Sequence, residues 1–136
     1  MASSGLALVN QRTEESLADS VEVAVTRNAR RKGLLGREGL ASSSALILAP
    51  CAAIHTMFMR FDIDAVFVDG DGLAVKVVHE LTPWRIAVQP FAHAVVELPA
   101  GSLREHRVDV GDRLYLLDES GRRVGLSAED LRGRVC

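Results

Sequence analysis

Two β-rich runs joined by an acidic, glycine-rich turn constrain this chain more than any other feature. Residues 64–69 read DAVFVD, 69–72 read DGDG and 73–78 read LAVKVV. Glycine reaches positive φ at no steric cost, so the turn closes a hairpin. Similar short runs recur at 21–25, 45–49, 94–98 and 113–117, each bounded by Gly, Pro or Ser. Strands of about five or six residues, with turn signals about every 8–12, specify a largely antiparallel sheet that curls or closes like a barrel. One or two short helices complete an α+β, mostly β fold. Thr26 caps the first, with Ala29, Leu34 and Leu35 inward and an end near Gly36. The second covers part of 102–107. There are few crossover helices and no G-x-G-x-x-G, which argues against a Rossmann order.

A chain of 136 residues is one domain by length. It buries roughly two thirds of its unfolded surface, enough to fold without disulfide or metal. The expected division is a mobile leader over 1–19, a β-rich domain over 20–118 and an extension over 119–136. That extension offers a hairpin strand and a short helix. Cys51 and Cys136 are too few for a disulfide framework, which points to a reducing compartment. The apolar run at 6–9 is too short for a signal-peptide core, and no apolar stretch approaches a membrane span. A cytoplasmic protein without a membrane partner is expected. Net charge is −2 and aromatics are 4%, so no basic or stacking footprint for nucleic acid exists.

Candidate chemistry concentrates in residues 50–69, PCAAIHTMFMRFDIDAVFVD. Cys51 and His55 form C-x-x-x-H, and Asp62 or Asp64 could orient the histidine. In an extended strand, positions four apart lie about 13 Å from each other, so this trio needs an irregular path after Pro50. Otherwise Cys51 is a small buried hydrophobe. Cys51, His55, Asp64, His79 and His93 are metal-capable, but no C-x-x-C or H-x-x-x-H pair occurs. No metal and no cofactor is therefore expected.

Strand parity would put Met57, Met59, Phe61 and Ile63 on a greasy face. Phe58, Arg60, Asp62 and Asp64 would share a charged face, with Arg60–Asp62 or Asp64–Arg85 as ion pairs. A buried Asp64 must be paired or accept backbone N–H groups. Trp84 at the Pro83 corner covers a core edge or lines a pocket. Glu97 in VVELPAG reads as an outward position. Were it inward, its pKa would rise and it would merit a functional test. Arg27, Arg30, Arg31, Lys32 and Arg37 read as a solvated basic face.

Taken together, RNARRKGLLGR, the 50–69 segment, TPWR, VVELPAGS and VGDRLYL resemble the domain of unknown function 192 family of bacteria and archaea. The resemblance covers 21–117. It implies a compact β-rich fold and no particular activity. Many members look secreted or membrane-anchored, a leader this sequence is not expected to have. Asp62 stands where relatives often have proline before the Ile-Asp pair.

No complete catalytic signature occurs. The expected function is therefore a non-catalytic module that binds a small ligand or a protein partner, as a monomer or weak homodimer. The alternatives are an enzyme centred on Cys51, His55 and Asp64, or a structural, assembly-forming protein. Thr56, Met59, Trp84 and Arg85 are the expected ligand-binding residues, lining one cleft where 50–64 meets the Pro83 corner.

Overall fold

The structure is a computed structural model that describes residues 5–132. Its strands are β1 (Ala7–Asn10), β2 (Glu15–Ala18), β3 (Ser20–Ala24), β4 (Ser44–Leu48), β5 (Ala53–His55), β6 (Ile63–Val68), β7 (Ala74–Leu81), β8 (Ile86–Val88), β9 (Ala94–Pro99), β10 (Leu114–Leu117) and β11 (Arg123–Val124). The helices are α1 (Arg27–Lys32), α2 (Ser102–Glu105) and α3 (Ala128–Arg132).

A five-stranded sheet, ordered β3-β4-β9-β6-β7, organises the molecule. Its pairings are antiparallel except β3–β4, which run parallel because α1 lies between them in the chain. The inner strands β4, β6 and β9 are almost wholly buried, which fits their continuous apolar runs. One face packs on a four-stranded sheet, β11-β10-β1-β2, and on α2 and α3 through Leu8, Leu17, Leu103, Leu114, Leu116 and Leu131. The other face packs on Leu34 after α1, on Met59, and on Ile54 and Ala87 of a small β5–β8 ribbon. The sheets are antiparallel-rich and do not close into a barrel.

Thr26 caps α1 as its sequence requires: its side chain accepts from the Ala29 amide at 3.1 Å. The 64–78 hairpin also forms. Asp69 Oδ1 accepts from the Asp71 and Leu73 amides at 2.9 and 3.0 Å, an Asx turn that fixes the loop. The chain's beginning departs from expectation. Within the stretch expected to be a mobile leader, residues 7–18 form a hairpin, β1–β2, that buries Leu8, Leu17 and Ala18 in the core, while residues 1–4 lie outside the described residues. The 119–136 extension supplies β11 and α3, while Cys136 lies outside the described residues. The strand parity assigned to 57–62 does not hold either: this stretch is turn and bend.

Gly72 has φ +86°, and a Cβ there would lie 2.6 Å from the Leu114 carbonyl oxygen. Gly70 has open space around it. Gly72→Ala is therefore expected to cost about 2 kcal/mol, from left-handed strain and displaced β10, and Gly70→Ala under about 0.5. Urea midpoints of the two variants, compared with the parent, measure this; equal midpoints would contradict it.

Candidate ligand-binding cleft

A cleft of about 280 Å³ opens over the second face of the central sheet. That is at the small end for a ligand site. Arg30, Arg31 and Lys32 of α1, with Leu34 and Leu35 after it, form one wall; Cys51, Ile54, His55 and Met59 form the other. Leu48 and Glu97 lie at its base on the neighbouring strands β4 and β9.

Glu97 is the unusual group. On β9 it pairs with Leu46 and Ala65, both members of the apolar cluster beneath the cleft. It is only 4% exposed; no described residue donates it a hydrogen bond, and its carboxyl oxygens keep contact with the cleft. Arg37, the cation with electrostatic influence on it, is held by both carboxyl oxygens of Glu22 at 3.0 Å. Burial pushes the Glu97 carboxyl up to about 7, against a smaller opposing pull from Arg37. Near neutral pH the site thus offers a carboxyl that exchanges between donor and acceptor forms.

Cys51 sits beside it, held by its amide donating to the His93 carbonyl at 2.8 Å. Its thiol donates to the Ala53 carbonyl at 3.2 Å. Burial chiefly, with Glu97's charge adding to it, raises the thiol pKa against lowering contributions from the Ala53 backbone and Arg30. An activated nucleophile needs the opposite shift. His55 Nδ1 accepts from the Met57 amide at 3.3 Å, and no Cys51–His55 hydrogen bond forms among the described residues.

The remaining sequence candidates have structural partners. Asp64 is fully buried: Oδ1 accepts from the Glu80 amide at 2.8 Å, and Oδ2 from Gly101 and Leu103 at 3.1 and 2.9 Å. It binds β7 and the start of α2 to β6, far in role from His55. Arg60 pairs with Glu38 at 2.6 Å rather than with Asp62, and Arg85 does not pair with Asp64.

Thr56 is a buried clamp. Its hydroxyl donates to Thr82 O at 2.7 Å and accepts from the Arg85 amide at 2.9 Å, while its carbonyl accepts from Trp84 N at 3.0 Å. Only Cys51, His55 and Met59 of the expected set line the cleft; Thr56, Asp64, Trp84 and Arg85 do not. His93 Nε2 accepts from the Ala128 amide at 2.9 Å, and His79 lines a separate surface trough. Among the described residues no three His, Cys, Asp or Glu side chains gather to hold a metal ion.

A sequence model of the DUF192 family, described as an uncharacterised ACR, matches residues 8–116. A UPF0127 protein of Pyrococcus abyssi is 41% identical over 64 residues, covering 46% of this chain and 54% of that protein. A UPF0127 protein of Pyrococcus furiosus is 40% identical over 65 residues, with the same shares. The chain thus spans about half the length of these curated relatives. Among solved structures, a Sinorhizobium meliloti 1021 protein described as a candidate transcription regulator is similar with TM-score 0.70 and 22% identity, over 84% of this chain and 95% of that one. A Novosphingobium aromaticivorans protein of unknown function gives 0.67 and 20%, over 80% and 81%. At such identities the likeness shows the fold. No helix among the described residues is long and apolar enough to cross a membrane.

Proposed function

Because this chain belongs to the uncharacterised DUF192 family, whose name carries no activity, we propose from its own cleft that it is a non-catalytic module binding a small, apolar-bodied anion. One observation carries this reading: Glu97 is buried, has no hydrogen-bond partner among the described residues, and reaches the cleft. No fully buried side-chain oxygen among the described residues lacks a partner, so the Glu97 carboxyl keeps contact with the cleft, and its hydrogen bonding is left to what enters there. A ligand group is the natural completion. Leu34, Leu35, Leu48, Ile54 and Met59 supply apolar walls for its body. Arg30, Arg31 and Lys32 supply cations for an anionic end. A cysteine enzyme is less well supported, since the Cys51 thiol is shifted away from the thiolate. The same reading takes the protein to be a cytoplasmic monomer or weak homodimer, its one described cysteine reduced.

Cys51 makes the test direct, because it lines the same cleft. In a Cys136→Ser background, alkylation of Cys51 is followed with hexanoate, hexyl phosphate, hexylamine or hexanol present. Either anion is expected to slow alkylation about tenfold at saturation, the amine not at all. Amide shifts should cluster at Leu48, Cys51–Ile54 and Glu97. Glu97→Leu should weaken the protecting anion about tenfold, as loss of a hydrogen bond to a buried polar group does. If none of the four probes protects Cys51, or if hexylamine protects best, this function is wrong.

A further inference from the structure

The β5–β8 ribbon presents a second feature that the cleft does not explain. β8 exposes Ile86 and Val88, with Ile86 63% exposed. They pair with His55 and Ala53 of β5, whose side chains are also exposed. At one end the Phe58 and Trp84 rings meet at a tilt of 60° with centroids 4.7 Å apart, exposed by 72% and 54%. At the other end Phe91 is 82% exposed, on a loop tied to the ribbon by the Gln89 amide donating to Ala52 O. These side chains make one apolar strip of the kind that monomers seldom leave to water.

The backbone holds the strip's aromatic end outward. Phe58 and Trp84 have φ of +65° and +67°. That region is unfavourable for residues with a Cβ. Thr56 enforces it, since both its carbonyl and its hydroxyl bind amides of the Trp84–Arg85 corner. Strain and exposure both oppose folding here, so an external contact is their evident use.

The charge around the strip identifies the contact. In a chain of net charge −2, residues 26–61 carry Arg27, Arg30, Arg31, Lys32, Arg37 and Arg60; Arg37 is paired with Glu22 and Arg60 with Glu38, which leaves the α1 cations as the basic face. Arg30, Arg31 and Lys32 face Ala53 and His55 of the ribbon across the cleft. Arg85 and Lys76 flank β8, the lysine donating to Val88 O at 3.0 Å. A second copy on this face would set like charges against each other, because an isologous contact repeats the same patch on both sides. A folded protein partner takes aromatic anchors into pockets. Here the aromatics lie exposed at both ends of the ribbon, Phe58 against Trp84 at one and Phe91 at the other, rather than as one central anchor. Aromatics spread along a face in this way suit a soft receptor.

From this geometry we infer that the exposed face of the β5–β8 ribbon docks the protein on an anionic lipid surface. Phe58, Trp84, Ile86 and Phe91 enter the headgroup region, and the surrounding cations meet lipid phosphates. Such contact needs no spanning segment, and it departs from the expectation of no membrane partner drawn from composition.

The chain's single tryptophan, Trp84, reports directly. The full chain is mixed with vesicles of phosphatidylcholine alone, or of phosphatidylcholine with phosphatidylglycerol. Trp84 emission is expected to shift to the blue, and to be quenched by brominated acyl chains, with the anionic vesicles only. Co-sedimentation should fall about tenfold in Phe58→Ser/Phe91→Ser, in Arg31→Glu/Lys32→Glu, and on raising salt. Circular dichroism confirms that these surface variants stay folded. No blue shift with anionic vesicles overturns the inference. So does equal binding to neutral vesicles, or a blue shift that grows with protein concentration alone and marks a second copy on the strip. A blue shift produced by an added acidic protein but not by lipid overturns it as well.

Discussion

Asp64→Ala is expected to destabilise the fold by about 3 kcal/mol or more, a large part of the margin a domain this size has. Asp64 is fully buried and its two carboxyl oxygens accept three backbone amides, those of Glu80, Gly101 and Leu103. Alanine leaves all three donors without their partner. Each unsatisfied buried amide costs about 1–3 kcal/mol, and only the less buried two regain water readily. The Leu103 amide is in the fully buried environment, so its loss should dominate. Asp64→Asn keeps one good acceptor oxygen and turns the other into a donor facing N–H groups, so it should fall between parent and alanine. Urea denaturation at neutral pH decides the matter. An Asp64→Ala midpoint equal to the parent's would mean that these bonds are not what holds β6, β7 and α2 together, and would return Asp64 to the list of candidate acids.

Asp64 also shows what local reading reaches. An aspartate opening a buried strand must be paired or must accept amides, and that much follows from desolvation cost. Which amides it accepts depends on residues up to 39 positions away, and no local pattern carries that. The same divide runs along the chain. The 64–78 hairpin, the Thr26 cap and the strand at 45–49 rest on turn chemistry, capping and apolar runs within a few residues. They form as the sequence indicates.

Residues 56–62 look like an alternating strand but are shaped by Thr56 bonding Thr82 and Arg85, 26 and 29 positions on. That distant clamp overrides the period of two and turns Phe58 outward. Residues 7–18 look too short and polar to matter, yet β1 finds its partner in β10, more than a hundred positions away. Of the candidate site, Cys51, His55 and Met59 were legible as a cluster of reactive and soft side chains. The basic wall from α1 was visible as charge but not as a wall, because only the tertiary fold sets α1 opposite β5. Glu97 could not be placed from alternation. β9 lies between β4 and β6 with both faces covered, so inward and outward lose their meaning there.

The parent is expected to lose on the order of 3 kcal/mol of stability between pH 4.5 and pH 8 through Glu97, and Glu97→Gln to abolish most of that loss. The carboxyl lies at about 7 in the folded chain and at about 4.3 when unfolded. Between those values the folded state holds the proton that the unfolded state has released. Stability then falls as pH rises, and it reaches a lower plateau above 7. At pH 4.5 the folded carboxyl is protonated and the unfolded one is little more than half ionised, so the parent and the Glu97→Gln variant should differ far less than at pH 8.

Asp112 acts in a separate window. Its bonds from Arg12, the Asp109 amide and Asn10 hold its carboxyl below the usual range, so its contribution is lost only as pH falls below about 4. The observable is therefore the gap between Glu97→Gln and parent unfolding free energies, which should move in favour of glutamine by about 3 kcal/mol between pH 4.5 and pH 8. Retaining an acid that weakens the fold at neutral pH fits a group kept for binding rather than for stability. A gap independent of pH would show that the carboxyl does not titrate in place, and would remove the reason for seating a ligand over it.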